Sequence, residues 1–291
     1  LAVLLWPAAS WGLESACVTA PDAPRALAVL DVDGDLDLDI ALATTDGVLL
    51  LINDGEGLLS FLREASPGDD DDSAGGQLPP LVRLGPGRGF LDVAAVARTT
   101  GDPMELLALD EHGFVLGFGL DPAGGFPTTW TAKVGSALAF AWADLDGDGD
   151  MDVALGTESR GLVVLGASDD ELTALYEVPE LGPVTDVAWA QLDDGRLGLA
   201  VGVQDAGRVY AVDGTGLQHL GTTTPAIEPG AERVVWQDRD GDGQPEAIFG
   251  GTLETLEPLG SGVTRQLLPI DEDAELGPLI AVASTYLVTS G

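Results

Sequence analysis

The sequence is poor in cysteine and in basic residues, and each shortage excludes a class of protein. Cys17 is the single cysteine, so no disulfide can form within the chain. Lys and Arg number 12 against 49 Asp and Glu, which gives a formal net charge of −37. This balance argues against nucleic acid and anionic membrane surfaces as partners. It favours bound cations or a saline environment, although part of the charge serves solubility alone.

Histidine is also scarce, and the two histidines form no catalytic pattern. His112 and His219 lie 107 residues apart without cysteine-rich patterning nearby, which disfavours a zinc site or a Ser-His-Asp arrangement. No glycine-rich phosphate loop followed by Lys-Ser/Thr is present. We therefore expect no catalytic residue and no enzyme. A polysaccharide lyase or hydrolase is the alternative.

Long hydrophobic runs are missing, and only the N-terminal segment approaches one. Residues 1–10 resemble the apolar core of a secretory signal without its basic start, and they are too short to span a bilayer. Ser15-Ala16-Cys17 resembles the end of a bacterial lipoprotein signal, although Glu14 stands where an aliphatic residue is preferred. Residues 1–20 are interpreted either as an export signal remnant, with a lipid anchor at Cys17, or as a strand that closes the fold.

What the chain has in abundance is glycine, acid and short apolar runs, and these repeat. Hydrophobic residues make up 45%, with 40 glycines and 18 prolines, which favours many short strands and turns. Trp142, Trp189 and Trp236 are spaced by 47 residues in similar contexts. These tryptophans are interpreted as core residues, with a sugar-stacking set as the alternative. An acidic, low-complexity stretch near 66–80 is interpreted as a loop insertion.

The repeat predicts an all-β fold. In the third unit, strand-like runs occupy 137–143, 153–155, 162–165 and 172–178, and no long segment sustains helical spacing. Four short strands in roughly 45 residues are typical of a propeller blade. Residues 21–291 are therefore predicted to form a β-propeller of about six four-stranded blades, the last partial, with seven as the alternative. A β-sandwich or a tandem of small β domains fits the tryptophan period less well.

Three acidic loops carry the strongest functional pattern. Each offers carboxylates at positions 1, 3, 5 and 9, and position 7 is expected to supply its backbone carbonyl. Such hard oxygen ligands predict up to three Ca²⁺ sites, between the first two strands of alternate blades. The predicted ligands are Asp31, Asp33, Asp35, Asp37 and Asp39 in the first loop; Asp144, Asp146, Asp148, Asp150 and Asp152 in the second; and Asp238, Asp240, Asp242, Gln244 and Glu246 in the third.

The loops match an EF-hand or a magnesium site less well than a calcium site between two strands. An EF-hand requires a bidentate Glu at position 12, where these loops have Leu42, Leu155 and Phe249. Mg²⁺ favours fewer carboxylates and retains water. Acidic turns without metal remain the alternative, because Asp and Gly are common turn residues. The units between have the stretches 97–102 and 191–195 at the corresponding places. Neither stretch holds three spaced carboxylates, so these units are predicted to bind no metal.

These features resemble the FG-GAP/VCBS repeats of integrin-α-type calcium-binding β-propellers. The calcium loop of that family has the pattern Asp-x-Asp-x-Asp-Gly-x-x-Asp, and its Phe-Gly-Gly-Ala-Pro hallmark is similar to Phe249-Gly250-Gly251-Thr252 and, more weakly, to Leu155-Gly156-Thr157. The resemblance covers about residues 25–291. It implies structural Ca²⁺ and an extracellular role in adhesion or recognition.

The expected function is therefore a calcium-binding recognition or adhesion module that is secreted, periplasmic or attached to the cell surface. Its partner is expected to be a protein or a glycan. The alternative is a lectin or a polysaccharide-active enzyme on the same propeller. We expect no nucleic-acid partner and no transmembrane span.

Overall fold

The computed structural model describes most of the repeat region. It describes residues 21–33, 35–53, 59–61, 82–97, 104–119, 126–168, 171–204, 206–212, 216–224, 233–250 and 254–267. The predictions for residues 1–20, for the lipid anchor at Cys17, for the insertion at 66–80 and for the partial last blade lie outside these residues.

Within the described ranges the chain is almost entirely β-structure, as the sequence predicts. It contains 21 strands in five antiparallel sheets, and its single helical element there is a 3₁₀ turn at Pro179–Leu181. None of its described helices has the length and apolar character needed to cross a membrane. In every sheet, four consecutive strands pair in chain order. This arrangement is consistent with the blades of a β-propeller.

The chain divides into two compact units, and the first holds sheets 1 and 2 almost completely. Sheet 1 contains β1 (Ala26–Leu30), β2 (Asp39–Thr44), β3 (Gly47–Asn53), β4 (Leu59–Phe61) and the short β5 (Arg83–Leu84), which also pairs with β3. Sheet 2 contains β6 (Phe90–Val96), β7 (Glu105–Asp110), β8 (Phe114–Gly119) and β9 (Thr128–Lys133).

The second unit holds sheets 3, 4 and 5. Sheet 3 contains β10 (Ala137–Ala143), β11 (Asp152–Thr157), β12 (Leu162–Ser168) and β13 (Glu171–Val178). Sheet 4 contains β14 (Val184–Gln191), β15 (Leu197–Val203), β16 (Gly207–Val212) and β17 (Leu217–Thr222). Sheet 5 contains β18 (Val234–Gln237), β19 (Glu246–Phe249), β20 (Glu254–Leu259) and β21 (Gly262–Leu267).

Burial explains why the second strand of each sheet is so apolar. Every residue of β2 and β11 is buried, whereas the fourth strand β9 is largely exposed. A strand covered on both faces needs a continuous apolar run, and an outer strand tolerates polar side chains. In the second unit, one apolar cluster joins sheets 3 and 4, and another joins sheets 4 and 5.

The repeating tryptophans join neighbouring sheets of the second unit. Trp189 and Trp236 are buried, which supports the prediction that they are core residues. The Trp189 indole Nε1–H donates to the Ala141 carbonyl at 3.1 Å, and the Trp236 Nε1–H donates to the Ala188 carbonyl at 2.9 Å. Each bond reaches back 48 residues to the first strand of the preceding sheet. A buried indole N–H that is satisfied in this way fixes how the sheets pack.

A carboxylate adds a second bond between sheets 4 and 5. Asp186 lies on the first strand of sheet 4, and its Oδ2 accepts a hydrogen bond from Val234 N of sheet 5 at 3.0 Å. Its Oδ1 accepts another from Val187 N at 3.0 Å. Sheet 4 therefore donates a hydrogen bond to sheet 3 and accepts two from sheet 5.

Candidate metal centres

The three acidic loops occupy equivalent places in three sheets. The first loop, 31–39, joins β1 to β2; the second, 144–152, joins β10 to β11; and the third, 238–246, joins β18 to β19. Each therefore follows the first strand of its sheet, and the residue at position 9 begins the second strand. Sheets 2 and 4 have other loops at this place.

The carboxylate at position 1 folds the loop around itself. In the second loop, Asp144 Oδ1 accepts from Gly147 N at 2.7 Å, and Asp144 Oδ2 accepts from Gly149 N at 3.2 Å. The third loop repeats this pair, because Asp238 accepts from Gly241 N at 2.7 Å and from Gly243 N at 3.0 Å. These backbone bonds orient the position 1 side chain toward the inside of the loop.

The carboxylates at positions 3 and 5 also accept hydrogen bonds from the backbone of the loop. In the second loop, Asp146 Oδ1 accepts from Asp148 N at 3.2 Å, and Asp148 Oδ1 accepts from Asp150 N at 2.9 Å. Equivalent bonds hold the first loop and the third loop. Short side chains that bond a backbone N–H two residues ahead form tight turns. The spacing of two residues is therefore a requirement of the turn as well as of any metal.

Position 9 carries the buried anchor of each loop. Asp39 is 0% exposed, and its two oxygens accept from Val32 N and Asn53 N, both at 2.7 Å. Asp152 is 2% exposed and accepts from Leu145 N and Ala167 N, both at 2.8 Å. One carboxylate thus joins the start of the loop to the third strand of the sheet.

Burial makes these anchors weaker acids than free side chains. Desolvation is the main cause that raises the pKa of Asp39, Asp152 and Glu246. Backbone hydrogen bonds to the ionised carboxylate lower the pKa in part, and the negative charge of neighbouring carboxylates in the same loop adds to the increase. Each loop therefore concentrates negative charge around a group that has already lost much of its hydration.

The folded loops bring many of the predicted ligands together. Carboxylate oxygens converge in three groups, one in each loop, and the oxygens within a group lie within 4.8 Å of one another. The groups are Asp31, Asp33 and Asp39; Asp144, Asp146 and Asp152; and Asp238, Asp240, Asp242 and Glu246. All donors are hard oxygen atoms, which suit Ca²⁺ or Mg²⁺ better than zinc or copper. The third loop has the largest group.

The remaining predicted ligands lie beside these groups. Asp35 and Asp148 at position 5 are not members, although Asp242 at the same position is one. The position 7 residues are Asp37, Asp150 and Gln244, and each donates its backbone N–H to the position 5 carboxylate of its loop. Their proposed contribution, a backbone carbonyl, stays a prediction.

One carboxylate near the third loop is absent from the predicted set. Glu257 lies on β20, and burial, followed by Asp242, Asp240 and Asp193, raises the pKa of its side chain. The loop pattern cannot reveal this residue, because it lies on another strand. Finding it requires the register between β19 and β20.

The first loop departs from the other two at position 6. Leu36 has φ of 76° and is 88% exposed, whereas Gly149 and Gly243 occupy this position with φ of 97° and 95°. The left-handed region costs a residue with a Cβ roughly 1–2 kcal/mol. Leu36 gains little burial in return, so the first loop carries strain that the others avoid.

Comparison with known proteins supports the fold alone. No family model and no curated protein matches the sequence. A crystal structure of BBS1N in complex with ARL6DN, soaked with lead, matches with a TM-score of 0.54 and 14% identity, over 84% of this chain and 69% of that one. A second crystal of this complex, soaked with mercury, matches with a TM-score of 0.50 and 14% identity, over 79% and 64% respectively.

The BBS1 N-terminal domain is a β-propeller, so this likeness agrees with the sheet topology. The chain spans about 64% of the length of the BBS1N chain in the mercury-soaked crystal. The more specific resemblance to FG-GAP/VCBS repeats stays a prediction.

Replacing Leu36 with glycine is expected to stabilise the protein. Leu36→Gly should raise the free energy of unfolding by about 1 kcal/mol, because relief of the left-handed strain exceeds the added freedom of glycine in the unfolded chain. Urea denaturation measures the change. Leu38→Gly is the matched control, since Leu38 is exposed and lies outside the left-handed region. The control is expected to lower stability, and equal effects of both changes would refute strain at Leu36.

The pKa shifts predict that the metal-free protein is most stable under mildly acidic conditions. The anchors have raised pKa values in the folded state, so the folded protein binds protons that the unfolded chain has already released. The free energy of unfolding should then fall as pH rises above the ordinary carboxyl values near 4, until the anchors are ionised in the folded state as well. Melting in EDTA at constant ionic strength tests this, and a melting temperature that increases with pH would contradict it.

Proposed function

We propose that this protein is a calcium-stabilised β-propeller that acts as a recognition module. The observation that carries the calcium assignment is the convergence of carboxylates in three loops of identical spacing. Each loop would hold one Ca²⁺ through positions 1, 3, 5 and 9, with the carbonyl of position 7. In this proposal the metal supports the scaffold and performs no chemistry.

The energetic reason lies in the charge of each loop. Several carboxylates within 4.8 Å repel one another, and the desolvated anchor among them increases the cost of ionisation. A divalent cation offsets this repulsion and joins the loop to the second strand. Because the unfolded chain does not preserve the site, the free energy of binding adds to the stability of the fold.

A secreted or cell-surface location follows from the proposed role. Calcium sites of extracellular modules operate at Kd values of about 10⁻⁴–10⁻³ M, far weaker than the sites of cytosolic calcium buffers. The high negative charge of the chain would repel anionic surfaces. In this proposal the partner is bound by the loops. Loops on a rigid β scaffold are the usual location of binding residues.

The BBS1N structures offer a fold-level analogy for the recognition role, because BBS1N forms a complex with ARL6DN. We infer that this chain also binds a protein, and that adhesion or recognition depends on the calcium-loaded scaffold. Screening the purified chain against an extracellular protein library and a glycan array, each with Ca²⁺ and with EDTA, tests this. We expect calcium-dependent binding of a protein. Binding to glycans alone would refute it.

Calcium is expected to raise the melting temperature. One site at a free Ca²⁺ concentration of 100 times its Kd adds about 2.7 kcal/mol, or roughly 5–10 °C for a domain of this size class. Asp33→Asn, Asp146→Asn and Asp240→Asn each remove one position 3 charge and should each reduce the shift. The measurement is thermal melting in EDTA and in added CaCl₂.

Glu158→Gln provides the matched control, because Glu158 is exposed and lies outside the three carboxylate groups. It should leave the calcium-dependent shift unchanged. An identical melting temperature in EDTA and in CaCl₂ would exclude a structural role for calcium.

A further inference from the structure

Most of the described arginines in this acidic chain pair with a carboxylate. Each of the following has a carboxylate oxygen at 3.9 Å or less: Arg25, Arg83, Arg88, Arg160, Arg196, Arg233 and Arg265. Arg239 has no such partner within the described ranges, but it is exposed, so water solvates its charge. Arg208 is the exception, because it is half-buried and still pairs with no carboxylate among the residues that the structure describes.

The Nε–H of Arg208 also lacks an acceptor. This atom is buried, and within the part of the chain that the structure describes it donates no hydrogen bond. A guanidinium N–H that is buried in this way loses its hydration and gains nothing in return. Such a group calls for an explanation, and a bound ion or ligand is one. In a chain with 49 Asp and Glu residues, the lack of an internal partner points to an external one.

A β-bulge gathers other polar side chains around Arg208. On β16, Arg208 and Tyr210 are two residues apart and therefore share one face of sheet 4. On β17, Thr222 pairs with Arg208. His219 pairs with Tyr210, which leaves Leu220 as an extra residue in β17. Without this bulge, His219 and Thr222 would point to opposite faces, because they are three residues apart.

The contacts within this group agree with the register. The imidazole Nε2 of His219 lies 2.9 Å from the hydroxyl oxygen of Thr222. The rings of His219 and Tyr210 meet edge to face, with centroids 5.3 Å apart. Burial raises the pKa of the Tyr210 phenol, and the charge of the nearby Arg208 guanidinium opposes this increase. One face of sheet 4 therefore holds a cation, a phenol, an imidazole and a hydroxyl, which can all donate hydrogen bonds to an anion.

The group is accessible from solvent at the outer strand of the sheet. His219 is exposed, and Arg208 and Thr222 are half-buried. Tyr210 is buried in the apolar cluster that joins sheets 3 and 4, so it supplies a fixed wall on the inner side. The four side chains thus border a place where a ligand can approach the guanidinium.

We propose that Arg208, Tyr210, His219 and Thr222 form a binding site for the carboxylate of a ligand, which the guanidinium holds through Nε and one Nη. Arginine and a carboxylate match each other in this two-bond geometry. The exposed side chain of His219 moves aside as the ligand reaches Nε. A singly charged carboxylate is favoured over a phosphate dianion, because a chain of net charge −37 repels the dianion more strongly.

This inference goes beyond the proposed calcium-dependent recognition and does not rest on it. None of the four residues belongs to an acidic loop, and all four lie on β16 and β17 of sheet 4.

The Nε–H resonance of Arg208 reports binding directly. It is identified in the spectrum of the isotope-labelled chain by its absence from the spectrum of Arg208→Lys. The labelled chain is titrated with sodium acetate, N-acetylglycine and N-acetylglutamate α-amide at constant pH and ionic strength. These compounds present the carboxylate as a free acid, as a chain terminus and as an acidic side chain. We expect a saturable downfield shift of the Nε proton, and the compound with the lowest Kd identifies the source of the carboxylate.

Two substitutions separate a two-bond site from a general attraction to positive charge, with binding followed through the backbone amide signals of His219 and Thr222. Arg208→Lys keeps the charge but loses Nε, and it should weaken binding by about tenfold or more. Arg160→Lys is the matched control, because Arg160 is exposed on sheet 3 and already pairs with Glu177. It should leave Kd unchanged.

The decisive result comes from the unmodified chain. An Arg208 Nε proton that does not shift with any of the three carboxylates overturns the inference, whatever the variants do. Unchanged affinity in Arg208→Lys, or an equal loss in Arg160→Lys, reduces binding to net charge and also overturns it. Inorganic phosphate that binds as tightly as acetate refutes the assignment to carboxylates. None of these results affects the calcium proposal, which depends on other residues.

Discussion

The buried carboxylate at the start of the second strand is the constraint on which each acidic loop depends. In the first and third sheets it accepts backbone N–H groups from the loop and from the third strand, so one side chain joins segments 7 and about 15 residues away. These hydrogen bonds fix the direction in which the chain leaves the loop, and they do so without a bound cation. The other carboxylates then converge because the anchored loop has few conformations left.

This anchoring has an electrostatic cost that the rest of the loop increases. Asp39 and Asp152 are buried, and the aspartates at positions 3 and 5 add their negative charge. An ordinary turn would avoid such crowding by using neutral side chains. The retention of this charge in three equivalent loops is the physical argument for a cation. It is stronger than the presence of acid alone in a chain of net charge −37.

Much of this arrangement was predictable from the sequence because it is local. The strand predicted at 137–143 is observed as Ala137–Ala143, and the loop spacing of two residues matches the hydrogen-bond ladder. The special role of position 9 was not predictable, since burial of Asp39 depends on the sheet around it. Glu257 was missed for the same reason: its proximity to the third loop follows from strand register, which a local pattern does not specify.

The tryptophan bonds between sheets also have a direction along the chain. In both, the donor belongs to the later sheet and the acceptor to the first strand of the sheet before it. During synthesis, the acceptor sheet is therefore complete when the donor strand leaves the ribosome. Each new sheet can dock on a template that already exists, so the order of translation and the order of assembly agree.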